Sequence, residues 1–169
     1  MSRPVNLTPS DYLEVYMGPD ICPTALLSKI NEKTYRSLHI SGQYHWTQVI
    51  PFLHTGTNVS VCLYDNMDLP EEDMEEFFRT LWNYKINDFS LFNTNCDKTW
   101  LDAAYKTSST MIGTVFKSVE VIKSLYSYFR VTAVTNNDTV MTLLMVDSDI
   151  ENNEEESDDD ELTDDDDII

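Results

Sequence analysis

The sequence predicts an α+β fold, a small mixed sheet of about six strands with about three to five helices over residues 1–146, followed by a disordered acidic tail over 147–169. Three observations carry that expectation. Apolar spacing switches repeatedly between the two-residue period of a strand and the period of a helix. Hydrophobic residues make up 41% of the 169-residue chain, with 9 Tyr, 7 Phe and 3 Trp, enough apolar surface to offset the entropy of ordering a single core. Charge is also segregated. Residues 1–146 carry 16 acidic and 11 basic side chains, whereas 147–169 carry 14 acidic and none basic, so −14 of the net −19 sits in the last 23 residues.

Taken in order, Thr8-Pro9-Ser10-Asp11 reads as a helix start, with Thr8 as N-cap and Pro9 at the first helical position, and Gly18-Pro19 closes that helix. A second short helix is expected from Pro23 to Ile30, burying Leu26, Leu27 and Ile30. From Tyr35 the period changes. Leu38–Ile40, Trp46–Ile50 and Val59–Tyr64 read as strands bounded by Ser41-Gly42 and by Thr55-Gly56-Thr57-Asn58. Pro51, without an amide hydrogen, limits how far the second of these pairs centrally.

The clearest helix spans Asp68–Trp82. Met74, Phe77, Phe78, Leu81 and Trp82 form one apolar stripe, while Glu71, Glu72, Asp73, Glu75 and Glu76 occupy the first turns, where the helix dipole favours acids. Asp88–Phe92 reads as the next strand, so Val59–Tyr64, this helix and Phe89–Phe92 make a βαβ unit with a right-handed crossover. A short helix is expected over Lys98–Lys106. Ile112, Val115, Phe116, Val119, Ile122, Tyr126 and Phe129 then recur at helical spacing and predict a helix over Met111–Tyr128, although their β-branched members leave a strand open. Arg130–Thr135 and Thr139–Val146, joined across Asn136-Asn137-Asp138, form a closing hairpin. After Val146 almost no apolar residue remains, and a run of like charge repels itself instead of forming a core.

Catalytic and cofactor signatures are few. The chain has no Gly-rich phosphate loop, no nucleophile elbow and no His-Glu-x-x-His, and its 4 glycines are few for any phosphate cradle. Cys22, Cys62 and Cys96 are odd in number and unpaired by motif, which argues for a reducing compartment rather than a disulfide framework or a zinc knuckle. His39, His45 and His54 lie near Cys62, but their spacing does not match zinc ligation, so ordinary hydrogen-bonded histidines are expected. No catalytic residue, metal or cofactor is expected. The N-terminal residues Met1–Asn6 lack the apolar centre of a signal peptide, and no stretch approaches the roughly 18 apolar residues of a membrane span. The expectation is an intracellular protein, cytoplasmic or nuclear, with no membrane partner.

The acidic run is the strongest functional signal. Glu154, Glu155, Glu156, Asp158, Asp159, Asp160, Glu161, Asp164, Asp165, Asp166 and Asp167, followed by Ile168 and Ile169, suit a basic protein surface, nucleic-acid-associated or otherwise. A solubilising appendage is the plainer reading of the same residues. The tip Asp164-Asp165-Asp166-Asp167-Ile168-Ile169 resembles the acidic, hydrophobic-ended C-terminal tail of single-stranded-DNA-binding proteins from bacteria and phage. Bacterial members usually have a proline and a phenylalanine where this chain has Ile168 and Ile169, and the resemblance does not extend to their OB-fold. It implies a second class, a single-stranded nucleic-acid-binding protein whose tail docks partners and competes for the nucleic-acid site. Outward-facing aromatics beside Lys and Arg would favour that class, but most aromatics fall on expected core stripes and the 11 basic residues form no cluster. Ser148, Ser157 and Thr163 each precede an acid by three residues (Glu151, Asp160, Asp166). That context resembles substrates of the acidophilic casein kinase II, and each phosphate would add about −1.5 to −2 charges.

Overall fold

The computed structural model describes residues 11–30, 33–54, 60–123 and 128–146. The tail over 147–169 and the cap at Thr8-Pro9 lie outside them. The strands are β1 (Tyr12–Met17), β2 (Ser37–His45), β3 (Ser60–Asp68), β4 (Asp88–Asn93), β5 (Phe116–Lys123), β6 (Tyr128–Thr135) and β7 (Val140–Val146). The helices are α1 (Pro23–Leu27), α2 (Met74–Tyr84) and α3 (Lys98–Thr110). All seven strands join one mixed sheet in the order β1-β2-β3-β4-β7-β6-β5. The first five in that order pair in parallel, and β6 and β5 complete it antiparallel. The α+β class is as the sequence predicts, with one strand more than expected.

The count changes because β1 and β5 are strands where the sequence predicts helices, while Trp46–Ile50 is not the strand expected there; β1 is the first of these. Leu13, Val15 and Met17 face the core and Tyr12, Glu14 and Tyr16 face outward, the two-residue alternation of a half-buried strand. The Asp11 carbonyl accepts from the amides of Arg36 and Ser37, and the whole strand lies in register with β2. Pairing with a distant neighbour therefore prevails over the local cap signal. β2 also runs through the expected boundary at Ser41-Gly42, because Gly42 adopts a φ of +100° and its amide donates to the Asp65 carboxylate at 2.9 Å.

Trp46–Ile50, expected as a strand, is instead two short 3-10 turns, Trp46–Gln48 and Ile50–Phe52. His45 and Gln48 form a capping box at the first, and the three-residue turn puts Trp46, Val49 and Phe52 on one buried side. A second correction falls at Met111–Tyr128. Residues 116–123 form β5, pairing antiparallel with β6, and Ile112, placed on the helical stripe by its spacing, is 47% exposed. α3 ends at Thr110, and Gly113, with φ of +86°, turns the chain back so that Phe116 is fully buried.

The other elements follow the sequence with shifted bounds: α1 ends at Leu27 with Leu26 and Leu27 half-buried, and the helix expected from Asp68 begins as a 3-10 turn at Glu71–Asp73, Asp68 belonging to β3. α2 buries Met74, Phe77, Phe78, Leu81 and Trp82, β3 and β4 flank it in parallel, and Lys85 closes it in the left-handed conformation. Asp97 caps α3 by accepting from the amides of Thr99 and Trp100. α2 and α3 pack on the face formed by Leu38, Ile40, Val61, Leu63, Phe89, Leu91, Leu143 and Met145, with Phe77 edge-on to Phe89 and Trp82 edge-on to Phe116. Among the described residues no helix is long and apolar enough to cross a membrane.

Candidate functional site

Alternation in each strand assigns every second residue to the opposite face of the sheet, and among the described residues no side chain on that face is fully buried. Register then fixes who stands beside whom. One row across the parallel strands runs Glu14, His39, Cys62, Ser90, Leu144, and the row beyond it toward the strand C-termini runs Tyr16, Ser41, Tyr64, Phe92. Small serines and a cysteine line the middle, so the larger rings stand above a low floor.

Those rings contact one another. Tyr12 meets His39 edge-on with centroids 4.8 Å apart, His39 lies 5.7 Å from Tyr64, and Tyr64 stacks on Phe92 at 5.0 Å with planes 8° apart. The result is an aromatic row spanning four adjacent strands, with Tyr12 49%, Tyr16 73% and Phe92 36% exposed. Partial desolvation, followed by the carboxylate of Glu14, pushes the Tyr12 phenol above its ordinary range. Desolvation and then Cys62 do the same for Tyr64. Both rings therefore stay neutral at physiological pH and keep the electron-rich faces that attract cations.

Toward the antiparallel side the same face carries Arg130, whose guanidinium lies 5.7 Å from the Tyr128 ring centroid. Register places Asp88 beside Thr142, Thr142 beside Thr132 and Thr132 beside Glu120. Among the described residues Glu14, Asp88 and Glu120 thus oppose Arg130 on this face, and Lys117, at the bulge beside Ser118, is already paired with Asp138, which leaves an acidic balance.

The three histidines are not gathered into one site. His39 belongs to the aromatic row, His45 caps the Trp46–Gln48 turn, and His54 Nε2 donates to the Tyr35 carbonyl at 2.9 Å while packing edge-on to that ring. Register sets His39 between Glu14 and Cys62 on an open surface, and its recorded contacts are those of its ring with Tyr12 and Tyr64. Cys22 is exposed and Cys96 is buried. Among the described residues no group of three or more His, Cys, Asp or Glu could hold a metal ion. Just before α2, Asp73 accepts from the Trp46 indole at 2.9 Å, and on α2 Glu75 pairs with Lys106, whose ammonium holds the carboxyl below its usual range. An open groove of about 410 Å³ lies between the 3-10 turns and α2, but the ammonium of Lys33 within it already donates to the Pro51 carbonyl.

The tail residues from Glu154 to Ile169, and the phosphorylation candidates Ser148, Ser157 and Thr163, lie outside the described residues. Sequence reasoning missed the aromatic row. Its signal was present: Tyr12, Glu14 and Tyr16 alternate with apolar residues, and His39, Tyr64 and Phe92 each adjoin an inward-facing Leu or Ile.

No family model matches the chain, and neither the curated proteins nor the solved structures contain a match to it.

Proposed function

We propose that this chain is a non-enzymatic interaction protein whose acidic run, residues 147–169, engages a basic partner surface. The observation that carries this reading is the charge distribution, 14 acids and no base in the last 23 residues. A field of one sign attracts basic surfaces from a distance and raises the rate of productive encounter more than it adds contact energy. Phosphorylation of Ser148, Ser157 or Thr163 strengthens the same field. The open acidic sheet face supports the reading further, because it adds a surface that a captured partner could meet.

The test is capture of a basic protein, such as a histone, by the full chain and by a full-length variant with every Asp and Glu of 147–169 changed to Asn or Gln. Capture at low salt should fall by an order of magnitude or more in the variant, as expected when a polyanion steers encounter. Equal capture by both forms would reduce the run to a solubilising appendage.

A second reading, a single-stranded nucleic-acid-binding protein with a regulatory tail, is favoured by one observation: the aromatic row on an open sheet face has the form of a base-stacking platform. Its weakness is charge, since Arg130 is opposed by three acids on that face and backbone phosphates need cations. Titration with an oligonucleotide decides it. Binding that tightens when the tail is neutralised supports it, and no binding by either form rejects it.

A further inference from the structure

Parallel strands normally carry helices on both faces, because each face of such a sheet is apolar enough to need cover. Here α2 and α3 cover one face, and no described element covers the other, which holds the aromatic row. Two further observations say what chemistry suits that face. Among the described residues its unpaired charges are mainly acidic, with Glu14, Asp88 and Glu120 against Arg130, so it favours a cation. Arg130 also already lies over the Tyr128 ring, so a guanidinium over an aromatic face is an arrangement this surface forms with its own residues.

We propose that this open face seats an arginine-rich segment of a partner protein, with guanidinium groups stacked on Tyr12, His39, Tyr64 and Phe92 while Glu14 and Asp88 meet the segment's remaining charge. This deepens the proposed engagement of a basic partner and rests on it. Arginine is specified over lysine because the planar guanidinium stacks on rings and is weakly hydrated, whereas an ammonium is a compact, strongly hydrated point charge. A second copy of the chain is a poorer occupant, since each copy carries −19.

The experiment titrates the full chain with labelled octa-arginine and octalysine peptides. The variants are Tyr64→Ser with Phe92→Ser, Glu14→Lys, and the neutralised acidic run, each full length. The wild-type chain should bind octa-arginine several-fold more tightly than octalysine. The double ring variant should lose that preference, weakening for octa-arginine by roughly five- to tenfold and hardly at all for octalysine, as expected for two cation–π contacts. Glu14→Lys sits on an exposed position of β1, so it tests the face without touching the core, and it should weaken both peptides. Should the double variant not fold, Glu14→Lys carries the test.

Unchanged affinity and preference in the face variants, with binding lost on neutralising the run, would end this proposal while leaving the proposed function intact. Failure of the wild-type chain to bind either peptide would end both. An oligonucleotide that binds the wild-type chain and loses affinity in the ring variant would assign the face to nucleic acid instead. Self-association abolished by the same variant would assign it to a second copy.

Discussion

At Gly42 the backbone has a φ of +100°, and a β-carbon there would stand 2.0 Å from the Met17 carbonyl oxygen of β1. Neither the dihedral nor the contact tolerates a side chain, because the obstacle is backbone and cannot rotate away. Gly42→Ala should therefore destabilise the fold by about 2–4 kcal/mol, in the range of strained backbone plus displaced pairing. Urea denaturation followed by circular dichroism measures it, and a loss below about 0.5 kcal/mol, the scatter of neutral surface changes, would contradict the geometry. Tyr35 and Tyr44 make a second residue-scale case. Burial pushes both phenols above their ordinary value, assisted at Tyr44 by the Asp65 carboxylate. A group raised in the folded state stabilises fully below its unfolded value of about 10 and loses that contribution as pH rises past it. Stability should thus hold to about pH 9 and then fall steeply. Tyr44→Phe should flatten part of the fall, although it also removes the 2.9 Å bond to the Tyr64 carbonyl. A flat profile to strongly alkaline pH would show that the phenols ionise without cost.

Among the elements, α2 and the hairpin β6–β7 were legible because their signals are local. The α2 stripe repeats at helical spacing within one segment, and the turn at Asn136-Asn137-Asp138 uses residues suited to positive φ, with Asp138 at +63°. β1 and β5 were read as helices for a common reason. Both lie at an edge of the sheet, so each has a single neighbour to fix its register and a short sequence in which competing helical spacing is easily satisfied. In β5 the decisive contact is Phe116, fully buried against Trp82 of α2 at a ring separation of 5.5 Å. Phe116→Ala should cost about 3–5 kcal/mol through lost transfer energy and an unfilled cavity. Hydrogen exchange along 116–123 should rise more than along β3, since the edge strand loses its anchor. Uniform exchange across the sheet would mean that β5 is held by its backbone pairing alone.

For the whole molecule, two asymmetries matter: charge along the chain and cover across the sheet. The first makes any partner engaged by the acidic run sensitive to ionic strength. Capture of a basic protein should weaken by an order of magnitude or more between low and high salt, because the field of a run of like charge is screened beyond about 8 Å at physiological ionic strength. Capture independent of salt would point to apolar docking on the sheet alone. The second asymmetry concentrates polar and aromatic side chains on one solvent-facing surface, where residues far apart in sequence become neighbours.

By itself the sequence determined the α+β class, the α2 stripe, the parallel placement of β3 and β4, the closing hairpin and the concentration of acid after Val146. These depend on composition and on spacing within a single segment. Tertiary structure alone decided that Tyr12–Met17 pairs as a strand, that Trp46–Phe52 coils into 3-10 turns, and that Tyr12, His39, Tyr64 and Phe92 form one row. The physical reason is register. Which residues share a face follows from alternation within each strand, but which strands adjoin, and how far each is shifted against the next, is set by contacts between segments that no local pattern encodes.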